Sequence, residues 1–182
     1  MKGVLNIEFL DYSFYLFAGI IVTVGCYYDI RTETIPNWCP VPVFLLGILK
    51  HFIHDGGIGI LYALMGGICF LAFYLAIISR FLEKLGMGDC KLLFAIGTFA
   101  GVNNLGVLLP VQLFITGIAL LGYIAIEEKL FNPVAYVKHL IFQFKMEKYE
   151  GGKKLVFGPF IGIPFIIYLI TVPILIEVVH IV

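Results

Sequence analysis

Charge is scarce in this sequence. Asp, Glu, Lys and Arg together make up 13% of its 182 residues, and acids and bases cancel at twelve each. A soluble domain carries about 25% charged residues, and a nucleic-acid-binding chain needs a basic surplus; neither description fits. Paired metal ligands are lacking too. Cys26, Cys39, Cys69 and Cys90 form no CxxC pair, and His51, His54, His139 and His180 are scattered with no HExxH among them. No metal and no cofactor are expected on that basis, and the cysteines read as small apolar groups of a packed interior. The first apolar run also lacks a small-x-small cleavage site and is long enough to span a bilayer, so it reads as a retained helix and not a removed signal.

What the chain has is apolar length. Hydrophobic residues make up 61% of it, and its mean hydropathy is +1.04. Six apolar stretches stand out, at 12–29, 38–53, 58–79, 90–102, 105–126 and 156–179. Crossing about 30 Å of hydrocarbon takes about 20 such residues in a helix. The second stretch is somewhat short and begins among Pro36, Pro40 and Pro42; the fourth is the shortest and reads as a short span in a thin or tilted position. His54-Asp55-Gly56-Gly57 marks a tight turn, and Asn103-Asn104 a very short one. The one long connection, Glu127 to Lys154, holds a segment of its own. Asn132-Pro133 is a helix start, Val134, Val137, Ile141 and Phe144 recur at helical spacing, and Gly151-Gly152 stops the run. With Lys138, Lys145 and Lys148 away from that stripe, 133–149 reads as an amphipathic helix on the membrane surface. The expected fold is therefore an all-α polytopic membrane protein: one domain over 1–182, with six transmembrane helices and one cytoplasmic interfacial helix.

Basic residues set the expected orientation. Ten of the twelve, Arg31 and Arg80 among them, fall in or beside the first, third and fifth connections, and only Lys2 and Lys50 fall on the other side. By the positive-inside rule those three connections are cytoplasmic and both termini lie outside.

Acidic residues near hydrocarbon are costly and mark chemistry more often than elsewhere. Asp29 ends the first span and Asp89 begins the fourth, 60 residues apart in sequence and at the same cytoplasmic depth. Two carboxylates a few ångströms apart share one proton, with either as its carrier. Such a pair activates water and supplies an acid, as in aspartic proteases. Gly86 and Gly88 precede Asp89; without a Cβ they let an extended peptide approach the backbone. Asp89 at a helix start also fits a plain capping role.

These residues resemble the type IV prepilin peptidase family. The resemblance rests on Asp29-Ile30-Arg31-Thr32-Glu33-Thr34-Ile35-Pro36-Asn37, on Gly86-Met87-Gly88-Asp89-Cys90-Lys91-Leu92, and on Phe157-Gly158-Pro159-Phe160 at the start of the last span. It implies an aspartyl endopeptidase of the GxGD kind, in the cell membrane, that cuts a short basic leader from prepilins or pilin-like precursors at the cytoplasmic face. By the same resemblance Asp29 and Asp89 are the catalytic pair. Lys91 holds the second motif, Pro36 and Asn37 shape the loop beside Asp29, and Glu33 meets the leader's positive charges. The paired-CxxC domain of larger family members, linked to N-methylation, has no counterpart in these residues, so peptidase activity without methyltransferase activity is expected. The expected partners are a prepilin or pilin-like precursor and the lipid bilayer, with no nucleic acid. Two other readings stand beside this one. Tyr28-Asp29 with GxGD is also similar to presenilin and signal-peptide-peptidase proteases, although their Pro-Ala-Leu motif is missing; and acids on a short helix suit a small transporter or assembly subunit.

Overall fold

Backbone groups in hydrocarbon have no partner but one another, so apolar runs of this length fold as helices. The computed structural model describes residues 2–32, 34–78, 86–127 and 158–181. Among these every regular element is helical: α1 (Lys2–Thr32), α2 (Pro40–Ile78), α3 (Met87–Ala100), a 3-10 turn (Val102–Asn104), α4 (Leu105–Glu127) and α5 (Gly158–Ile181). Glu33, Arg80, Lys84 and the expected amphipathic segment 133–149 lie outside the described residues. By length and composition Leu10–Thr32 and Pro40–Ala76 suffice to cross a bilayer, and α3 with α4, bent by 94° at their junction, makes a third candidate. The helix around the first apolar stretch starts earlier than that stretch, at Lys2.

α2 is two helices in sequence. Gly56, at φ 62 and ψ −142, breaks it where the His54–Gly57 turn is expected. A Cβ added at Gly59 would strike the His51 carbonyl, although eight residues of unbroken helix would separate the two by about 12 Å. The chain therefore doubles back at this point. α3 lies against both halves: a Cβ at Gly47 would come within 2.7 Å of the Phe99 backbone, and one at Gly97 within 2.8 Å of the Gly66 carbonyl. Such small-residue contacts let helices close in where burial alone gives no driving force. Leu92, Leu93 and the run Ala95–Ala100 of α3 are buried as a result. Leu16, Phe17, Ile20 and Cys69 face outward, as expected of surfaces that lipid covers; Cys69 departs from the interior placement its composition suggests.

The far end of α3 is capped by a buried cation. Lys50 Nζ donates to the Phe99 carbonyl at 3.4 Å and to Tyr15 Oη at 3.3 Å, and it sits 4.8 Å from both ring centroids. The last carbonyls of a helix are unpaired and carry its negative dipole end, so a cation is favoured there. In sequence Lys50 reads only as a connection charge. Beyond Ala100, Gly101 turns the chain at φ 72 with the His51 ring against its Cα. Replacing Gly101 with Ala should destabilise the protein by about 2–4 kcal/mol, from left-handed strain and overpacking together. Thermal unfolding in detergent checks this against Gly106→Ala, where a Cβ meets open space and the melting temperature should not fall.

Candidate functional site

The Asp29 end of α1 is built by aromatic and hydroxyl groups suited to a membrane boundary. Tyr28 meets Trp38 edge-on at 5.7 Å, and Arg31 lies 5.4 Å over the Tyr27 ring; such residues anchor helix ends at headgroup depth. Thr32 Oγ1 donates back to the Tyr28 carbonyl at 2.9 Å, and the helix stops there. A tight turn follows, closed by the Cys39 N–H donating to the Pro36 carbonyl at 3.0 Å, and Pro40 starts α2 in the first-turn position where its missing N–H costs nothing. Cys39 is buried under Gly25. Its Sγ donates to the Ile21 carbonyl at 3.5 Å inside the first span, so it serves packing.

Asp29 itself is 4% exposed. Its Oδ2 accepts the backbone N–H of Gly158 at 2.7 Å. Gly158 is the first residue of α5, so the carboxylate meets a helix N-terminus in the geometry by which such termini bind anions. The same residue is held a second time: Cys26 Sγ, one turn before Asp29, donates to the Gly158 carbonyl at 3.4 Å. A Cβ at Gly158 would come within 2.9 Å of the Asp29 Cβ, so this approach depends on glycine.

Asp89 sits three residues after the N-cap Gly86 of α3, half-buried. Its Oδ2 accepts the Gly86 N–H at 3.2 Å, the back-reaching half of a capping box. The two acid-bearing segments lie side by side. Gly88 packs on Ile35, where a Cβ would stand 3.1 Å from the Ile35 Cβ, and Lys91 Nζ donates to Asn37 Oδ1 at 2.8 Å. Of the residues singled out in sequence, the structure thus joins Asp29 with Gly158, Asp89 with Gly86, Lys91 with Asn37, and Gly88 with the residue before Pro36. Glu33 lies outside the described residues. No group of three or more potential metal ligands occurs among the described residues.

The role of Gly158 is not readable from its neighbours. Gly-Pro ahead of an apolar run marks a helix start, but nothing local says that its first amide will meet an acid 129 residues earlier.

A sequence model of the type IV leader peptidase family matches residues 16–126. The match takes in both aspartate segments and stops short of Gly158. No curated protein and no solved structure matched the chain. With more than half of its length matched, and with apolar helices long enough to cross a bilayer, this chain is a membrane protein that belongs to the type IV leader peptidase family.

Proposed function

We propose that the chain is a membrane aspartyl endopeptidase that removes the leader of type IV prepilin or pilin-like precursors at the cytoplasmic face, with Asp29 and Asp89 as its catalytic pair. The observation that carries this reading is the burial of Asp29 at the end of α1, oriented by the Gly158 N–H, while the Asp89 segment is tied alongside through Lys91 and Asn37. Neither acid is merely a solvated surface charge. In the proposed topology the two halves of α2, with α1, α3, α4 and α5, make six spans, both termini are extracytoplasmic, and the acids face the side that carries most of the Lys and Arg.

The chemistry follows from two acids sharing a proton. The ionised carboxylate takes a proton from water as its oxygen attacks the scissile carbonyl carbon. The protonated partner donates a hydrogen bond to the carbonyl oxygen as it gains charge. The tetrahedral intermediate then collapses, the C–N bond breaks, and a proton passes to the leaving amine. Gly86, whose N–H holds Asp89, and Gly88, whose lack of a Cβ lets the Ile35 segment close in, shape the second motif, not a strand for the substrate, and the Glu33 carboxylate is proposed to pair with the leader's basic residues. Nothing in these 182 residues is proposed to methylate the new terminus.

The test is cleavage of a purified pilin precursor by the chain in lipid vesicles, with the product terminus read by mass spectrometry. Cleavage that depends on both aspartates supports the reading; a folded chain that leaves every precursor intact, or that cuts equally well without them, sinks it. Lys91→Met should have a smaller effect. An exposed hydrogen bond contributes about 0.5–1.5 kcal/mol, so kcat/KM should fall by up to about tenfold without loss of fold.

A further inference from the structure

Three polar side chains are buried in the apolar core away from the aspartates: Tyr74 in the second half of α2, and Gln112 and Thr116 in α4. Four residues apart, Gln112 and Thr116 share one helix face, and they converge on the first turn of α5. Thr116 Oγ1 donates to the Phe160 carbonyl at 2.9 Å. Gln112 Nε2 donates to the Phe160 and Ile161 carbonyls, both at 3.3 Å. Since both acceptors are carbonyls, it is the amide nitrogen that must face them. Tyr74 Oη in turn donates to Thr116 Oγ1 at 3.2 Å.

The sequence of α5 explains why donors are needed there. The helical donor to the Phe160 carbonyl would be residue 164, and residue 164 is proline, which has no N–H. The first turn of α5 therefore lacks one of its ladder bonds, and α4 supplies the donors at that carbonyl instead. Two residues before Phe160 stands Gly158, whose N–H meets Asp29.

We propose that Gln112 and Thr116 are positioning residues, which grip the proline-loosened first turn of α5 so that the Gly158 N–H holds the Asp29 carboxylate in its reactive place. This rests on the catalytic reading of Asp29. It differs from a plain stabilising role, in which the two side chains do no more than satisfy a carbonyl.

The experiment uses the full chain in detergent micelles, with 13C-carbonyl Phe and 15N Gly. Phe157–Gly158 is the one Phe-Gly pair in the sequence, so a carbonyl-edited spectrum gives a single cross-peak for the Gly158 amide. Its proton should lie downfield in the wild type and move upfield in Asp29→Ala, which marks the bond. In the double variant Thr116→Val, Gln112→Met the peak should move the same way. In vesicles its kcat for a pilin precursor should drop about 10- to 100-fold, because displacing a reacting group by about an ångström carries a penalty of that order, with KM unchanged. Thr116→Ser should behave as wild type in both readouts. A Gly158 peak that stays in place in the double variant overturns the proposal, whatever happens to the melting temperature; so does an unchanged kcat. Should the double variant not fold, Thr116→Val against Thr116→Ser gives the same two readouts. If the wild type cleaves no precursor, the proposed function fails, and the peak alone still decides whether the two side chains place Gly158.

Discussion

Asp29→Asn and Asp89→Asn should each lower precursor cleavage by about 10³-fold or more, with the melting temperature nearly unchanged. General acid–base groups contribute about 10²–10⁴-fold, and members of a coupled unit each remove most of the effect when lost. The amide is the informative replacement. Both aspartates have a structural duty: Asp29 accepts the Gly158 N–H and Asp89 accepts the Gly86 N–H. An Asn side-chain oxygen can accept the same bond. What Asn cannot do is carry or release the shared proton. If the aspartates were only a helix cap and a buried anchor, the amide variants would keep their activity. Asp89→Ala, by contrast, removes both duties and should also reduce stability, by about 1 kcal/mol. Initial rates over a hundredfold range of enzyme, with melting curves alongside, separate the two outcomes. The double variant should be little worse than either single one.

Asp29 and Asp89 stand out in the sequence because each acid sits in a local motif at the edge of an apolar run; their shared catalytic role is the proposal. The break in α2 was legible too, where His54-Asp55-Gly56-Gly57 offers the left-handed conformation that Gly56 adopts. The GxxxG pairs Gly97/Gly101 and Gly158/Gly162 are ambiguous among 20 glycines. The structure turns both into close contacts, since a Cβ would meet Gly66 at Gly97, His51 at Gly101, Asp29 at Gly158 and Cys26 at Gly162. What remained hidden depends on contacts between distant segments. Lys50 looks like a connection charge until the end of α3 arrives beneath it. Gln112 and Thr116 lie in an apolar stretch where isolated polar residues carry no partner's name. One signal was present: two polar residues at i and i+4 in one helix, and a proline four after Phe160 that leaves a carbonyl needing donors. Only the fold shows that these two facts answer each other.

Gly158→Ala should nearly abolish cleavage, with a loss of about 10²-fold or more in kcat, although the added group is one methyl at a buried position. The Cβ would stand 2.9 Å from the Asp29 Cβ and 3.0 Å from its Cγ, closer than any packed pair of carbons, so α5 or the carboxylate must move. Asp29 has little room, being buried at the end of α1, and Gly158 is held at both its N–H and its carbonyl. Overpacking of this kind costs about 1–3 kcal/mol, which a folded bundle can survive; a displaced reactive carboxylate loses about 10²-fold for an ångström of error. Activity should therefore fall much further than the melting temperature predicts. Gly117→Ala in α4, where a Cβ meets open space, should leave both unchanged. The same variant tests how α4 acts on the site. Neighbours that work through one contact are not additive, so Thr116→Val should cost far less in kcat on a Gly158→Ala background than on the wild type. Full additivity would mean that Thr116 reaches the reaction by another route, whereas a Gly158→Ala enzyme of normal kcat would mean that Asp29 needs no amide to hold it.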